Sequence, residues 1–87
     1  MVRENDFIAV FHSIHRVMKA EKILKGADVP IQLIPAPRQI SSDCGLALRY
    51  TSEDAQRVQD LLNGQGLPPA EVYQYQGGKF TAKEIFP

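Results

Sequence analysis

The sequence predicts an α+β domain in the order strand, helix, strand, strand, helix, strand, and three observations carry that prediction. Phe7 to Phe11 (Phe-Ile-Ala-Val-Phe) is apolar without interruption and bounded by polar residues, as in a central strand covered on both faces. Two later stretches repeat apolar residues at helical spacing: Val17, Ala20, Leu24 and Ala27, then Ala55, Val58, Leu61 and Leu62. Three further short runs, Ile31–Ile34, Gly45–Tyr50 and Glu71–Tyr75, have strand composition and are fenced by Pro and Gly. The βαββαβ series is the ferredoxin-like, split-βαβ arrangement. Right-handed crossovers then give a four-stranded antiparallel sheet in the order 4-1-3-2, with both helices on one face.

Ser13 follows the first strand and suits an N-cap. It opens a helix from Ile14 to about Lys25, with Arg16, Lys19 and Lys22 mostly outward. Gly26 is the expected stop, and Asp28-Val29-Pro30 turns the chain into the second strand, which ends at Pro35. After the third strand, Ser52 begins the second helix, with Glu53 and Asp54 in its first turn, where carboxylates complement the helix dipole. Asn63-Gly64-Gln65-Gly66 ends it. Glu71–Tyr75 alternates in character and is expected near an edge, and Gly77-Gly78 is a turn. For Lys79–Pro87 two readings stand, a returning short strand or a free tail. The sheet face away from the helices is expected to carry some of Phe7, Phe11, Tyr73 and Tyr75. Its cover is either Phe80, Ile85 and Phe86 of the tail or a second copy of the chain, which would make a homodimer.

With 87 residues, of which 44% are hydrophobic, the chain is one domain, with a core over about residues 6–76 and a tail from 77 to 87. Ten Lys and Arg balance ten Asp and Glu, so nothing steers the protein towards nucleic acid or an anionic membrane. The single cysteine forms no disulfide within the chain, which suits a reducing cytoplasm. The polar start Met-Val-Arg-Glu-Asn-Asp lacks the apolar core of a signal peptide, and no apolar run has the length of a membrane span. A cytoplasmic location is expected.

The stretch Ile34–Gly45 stands apart. It holds Cys44, Pro35 and Pro37, and a run of small polar residues, Ser41-Ser42-Asp43. A hairpin needs only a few residues, whereas roughly ten separate the two strands here, a length that in a small domain usually carries function or a turn of helix. Pro37 suits a first helical position, and Ser41, Ser42 and Asp43 compete for local backbone hydrogen bonds. At most one short helical turn is expected. Either X–Pro bond of the segment is a candidate for the cis form.

The string Pro-x-Pro-Arg-x-Ile-Ser-Ser-x-Cys-Gly-Leu-Ala-Leu-Arg, from Pro35 to Arg49, resembles the signature of small bacterial proteins of the Se/S carrier protein-like family. Ser13-Ile14-His15 and Lys19-Ala20-Glu21-Lys22 resemble that family's first helix, and the likeness runs from about Phe7 to Tyr75. It implies that Cys44 carries sulfur or selenium, with His15, Arg38 and Ser42 as the other site residues. Asp43 stands where the pattern has a serine, and a carboxylate beside a thiol opposes formation of the thiolate.

Topology adds to this. The first and third strands run antiparallel, so the end of one, at Phe11 and His12, adjoins the start of the other, at Cys44 and Gly45. Ser13, Ile14 and His15 begin the first helix at the same edge, and the Gly64–Pro69 connection arrives there too. That edge is expected to gather the cysteine, two histidines, Arg38, several hydroxyls and a helix N-terminus. A free thiol, with a pKa of about 8.5, is mostly protonated at neutral pH; a nearby cation or helix N-terminus lowers it. His12 and His15 form an H-x-x-H pair, but no third residue stands at metal-ligand spacing, so no metal is assigned and a Cys44–His12–His15 zinc site is the alternative. Arg38 either binds an anionic group or steadies the loop by pairing with Asp43 or a helix carbonyl. Glu21 is explained equally by a solvated helix face. Tyr73 and Tyr75 are expected to pack on the sheet.

The expected function is therefore a sulfur or selenium carrier. Cys44 takes sulfur as a persulfide from a donor, such as a cysteine desulfurase, and hands it to an acceptor protein. With no second cysteine, resolution is intermolecular. No cofactor, nucleic acid or membrane partner is expected. The chain reads as a carrier rather than an enzyme, because no full acid–base pair surrounds a pocket. The alternative is a ferredoxin-like small-molecule-binding or protein-interaction module whose cysteine is incidental.

Overall fold

The computed structural model describes residues 2–40 and 45–83. The elements are β1 (Phe7–Val10), α1 (Ile14–Gly26), β2 (Gln32–Pro35), a 3₁₀ turn at Arg38–Ile40, β3 (Leu46–Tyr50), a 3₁₀ turn at Ser52–Asp54, α2 (Ala55–Gly64), β4 (Glu71–Gln76) and β5 (Lys79–Lys83). They form an α+β fold with one antiparallel sheet in the order β2-β3-β1-β4-β5. The first four strands take the predicted order. The sheet nevertheless has five strands rather than four, and β4 lies inside it rather than near an edge. The cause is the turn. Gly77 and Gly78 both adopt left-handed φ, 59° and 79°, the backbone that a two-residue hairpin loop needs to match strand twist. Lys79 then pairs with Gln76, and Phe80 packs on Tyr75 with ring centroids 5.0 Å apart. Of the two readings of the tail, Lys79–Lys83 takes the strand; Ile85 and Phe86 lie outside the described residues.

β1 is central, as its two-sided apolar run requires. Ala9 and Phe11 face α1 and α2, in one core with Val17, Ala20, Leu24, Leu48, Val58 and Leu62. Phe7 packs against that core and stacks on Tyr50 at 5.8 Å. Both helices thus cover a single face. Ile8 and Val10 point the other way, to a second cluster with Ala47 and Ile40, against which Val2, Ile34, Ala36, Tyr73 and Phe80 pack. Phe7 and Phe11 are therefore not on the face away from the helices, because strand alternation sends odd-numbered residues of β1 to the helix side. Part of that second face is covered by Ile40, from the long loop.

Both helices end in the same motif. In α1, Val29 N–H bonds Leu24 O at 3.0 Å and Asp28 N–H bonds Lys25 O at 3.0 Å. In α2, Leu67 N–H bonds Leu62 O at 2.9 Å and Gly66 N–H bonds Asn63 O at 3.1 Å. Each is a Schellman cap with a left-handed residue followed by a buried apolar one: Asp28 (φ 59°) before Val29, and Gly66 (φ 66°) before Leu67. Gly26, the expected stop, is instead the last helical residue. Ser13 occupies the N-cap with extended backbone, but its side chain makes no cap bond. The α2 stretch opens as a 3₁₀ turn from Ser52 before becoming α-helical at Ala55.

At the end of the sheet away from the long loop, Asp6 is only 4% exposed. Its Oδ2 accepts from Arg49 Nε at 2.6 Å and from the Arg3 backbone N–H at 2.8 Å. Arg49 also donates to Gln32 Oε1 at 2.7 Å, so one guanidinium ties β1, β2 and β3 together. Removing one member of such a pair strands the other charge. Asp6→Ala is expected to lower unfolding stability by about 3 kcal/mol in urea titration; a loss below about 1 kcal/mol would show a solvent-screened pair of little consequence.

The two helix caps give a second prediction, of opposite signs. A Cβ at position 66 meets no atom within 4 Å, so Gly66→Ala is expected to lose about 1 kcal/mol through backbone strain alone. Asp28→Gly, at the matching position of α1, is expected to gain about 0.5 kcal/mol by relieving it. Equal stability for both variants in thermal melts would contradict the cap assignment.

Candidate functional site

The end of the sheet that sequence topology singles out is where three connections meet, β1–α1, β2–β3 and α2–β4. Val10 pairs with Ala47 on one side and Glu71 on the other. His12, two residues past Val10, and Gly45, two residues before Ala47, therefore leave the sheet at the same end. The α2–β4 connection arrives there as well, since Ala70 N–H bonds Val10 O at 2.8 Å. Ser13 and the first turn of α1 complete the edge.

The long loop is fixed at three points. The β2–β3 ladder ends with Pro35 opposite Leu46, and Ala36 N–H bonds Gly45 O at 2.9 Å, which closes the loop's base. Gly45 has φ 75° with nothing crowding it, so glycine is needed for backbone conformation rather than for space. Between these ends, Ile40 N–H bonds Pro37 O at 3.1 Å in a short helical turn at Arg38–Ile40. Ile40 is buried on Ile8, Val10 and Ala47. No cis peptide bond occurs among the described residues. Cys44 and Ser42, with Ser41 and Asp43, lie outside the described residues, between the anchors at Ile40 and Gly45.

The remaining predicted site residues fall on two sides of the sheet. His12 is exposed at the end of β1. His15 is exposed in the first turn of α1, on the helix-covered side. Arg38 is exposed on the opposite side, because Ile40 anchors its turn to the face away from the helices. There it borders an open groove of about 600 Å³ with Pro35, Ala36, Tyr75 and Phe80. The expected convergence of Arg38 with the histidines is not what the fold builds: which side the turn packs on decides it, and that choice was not readable from the loop's own residues. Glu21 is held by Lys25 at 3.2 Å along the helix, a solvated i,i+4 pair. Among the described residues, no three His, Cys, Asp or Glu side chains gather as a metal site.

Sequence reading passed over Glu71 at this edge. Tyr73 donates its hydroxyl proton to Glu71 Oε1 at 2.9 Å. That bond, more than burial or the carboxylate charge, holds the phenol pKa above its ordinary value. The alternation of Glu71 and Tyr73 along one strand face was the available signal.

No helix among the described residues is long and apolar enough to cross a membrane. No curated protein and no solved structure matches the chain. A family model does match, over residues 6–74, a span that takes in the sheet edge, the long loop and its cysteine. The chain belongs to the family described as "Putative Se/S carrier protein-like".

Proposed function

We propose that the protein carries sulfur, or selenium in its place, on Cys44. The observation that supports this reading is the family match over residues 6–74, which includes the chain's one cysteine in a segment anchored at Ile40 and Gly45. In the proposed step the Cys44 thiolate attacks the outer sulfur of a donor enzyme's persulfide. The donor's S–S bond breaks, its own thiolate departs, and Cys44 holds the persulfide. A nucleophile on an acceptor protein then takes that terminal sulfur and restores the thiolate. With no second cysteine in the chain, both exchanges are between molecules. In this reading His15 and the N-terminus of α1, at the edge from which the loop re-enters the sheet, favour the thiolate, and Ser42 is a neighbouring hydroxyl. Arg38, on the other side of the sheet, steadies the loop or meets an anionic group of the partner. The βαββαβ order of the first four strands supports a ferredoxin-like class for the fold, with β5 an added edge strand.

A second reading is favoured by one observation, the groove beside Arg38. In it the chain is a small-molecule-binding module and the cysteine is incidental.

Whole-protein mass spectrometry after incubation with a cysteine desulfurase and free cysteine separates the two. The carrier reading expects a reductant-sensitive gain of about 32 Da, the mass of one sulfur in persulfidation, lost in Cys44→Ser. It also expects alkylation of folded protein with a midpoint below about 8.5, the free-cysteine value, shifted upward in His15→Ala. A thiol that reacts only in denaturant, with no adduct, would refute the carrier and leave the binding module. A low midpoint that survives His15→Ala would keep the carrier and assign activation to the helix N-terminus or Arg38.

A further inference from the structure

Helix α1 carries an outward face that its packing does not explain. Val17, Ala20 and Leu24 are fully buried. On the outer side Ile14 and Met18, one helical turn apart, are 48% and 47% exposed, the large apolar side chains left in solvent among the described residues. Single exposed apolar side chains are ordinary, but an adjacent pair bordered by charge has the anatomy of an interface. Lys22 stands one turn beyond Met18 on the same side of the helix, with Lys19 farther round its exposed half and Arg16 beyond Lys19. None of these three cations forms a hydrogen bond or ion pair among the described residues. The helix's one carboxylate, Glu21, is already taken by Lys25. The neutral total is therefore uneven, with basic charge on α1 and Glu53, Asp54 and Asp60 on the α2 stretch.

We infer that the outward face of α1, Ile14 and Met18 with Lys19 and Lys22, docks the sulfur-donating protein through an apolar patch that the donor rims with carboxylates. This rests on the carrier reading and names its partner surface. The face starts where transfer would occur: Ile14 opens α1 at the sheet end from which Gly45 re-enters. From Ile14 to Lys22 the face runs about 12 Å at 1.5 Å per residue, so a partner seated on it lies alongside that end. The cations supply encounter rate and orientation, and the two apolar side chains supply contact. An acidic protein fits better than a membrane or a nucleic acid. The inner side of α1 is spent on the core, and the helix has no Phe, Tyr or Trp for a bilayer interface or for a stacking platform.

The test measures single-turnover sulfur transfer from a purified, persulfide-loaded cysteine desulfurase to the full chain at several salt concentrations. The second-order rate constant is expected to fall with salt, and to drop about tenfold or more in Lys19→Glu/Lys22→Glu, within the range of electrostatic steering. Met18→Asp is expected to slow transfer at all salt concentrations. Both variants keep the wild-type melting temperature and iodoacetamide rate, which shows that fold and thiol are intact. Transfer at wild-type rate in both variants would overturn the docking face and leave the carrier standing. Absence of transfer to the wild-type chain would remove the carrier reading, and the docking face with it. Binding of the chain to phosphatidylserine vesicles that is lost in the same variants would assign the face to a membrane and overturn the inference.

Discussion

Burial of β1 on both faces is the constraint from which the rest of the structure follows. Ile8, Ala9, Val10 and Phe11 are shielded from solvent, and the strand is paired on both sides. A strand so placed requires two covers. The helices supply one, through Val17, Ala20, Leu24, Val58 and Leu62. The second cover is assembled from Val2, Ile34, Ala36, Tyr73 and Phe80, packed on the buried cluster to which Ile40 belongs. Ile40 belongs to the long β2–β3 connection. The segment that carries the cysteine therefore does structural work as well.

That double duty shapes the site. The connection would be long for a free loop, but Ala36, Ile40 and Gly45 each tie it to the sheet. The anchors fix where the segment leaves and rejoins the sheet. The strongest polar constraint, Asp6 with Arg49, is at the far end of β1.

Much of this was legible in the sequence because the decisive signals were local. The run Phe7–Phe11 announced a strand with two buried faces, and helical periodicity placed α1 and α2. These, with the strand runs, were enough for the order of four strands. β5 was harder to read because Lys-Phe-Thr-Ala-Lys has one large apolar residue, Phe80, and Gly77-Gly78 fits a tail as well as a hairpin. The Asp6–Arg49 pair spans 43 residues and leaves no local trace. Asp28 in the left-handed cap was hidden by Gly26 two residues earlier, which looked the better stop. At the site, sequence topology brought His12, His15 and Gly45 to one edge, as the fold does. It missed that Arg38 lies across the sheet, because the side on which a 3₁₀ turn packs depends on tertiary burial of Ile40 rather than on the turn's own residues.

The central claim, that the cysteine loop also forms part of the cover of the second sheet face, is tested most directly by urea unfolding of Ile40→Ala. A buried isoleucine truncated in a core costs about 2–5 kcal/mol, and a loss in that range is predicted here. A loss below about 0.5 kcal/mol, the scale of an ordinary surface substitution, would contradict it and leave Ile8, Val10 and Ala47 to be covered by something else.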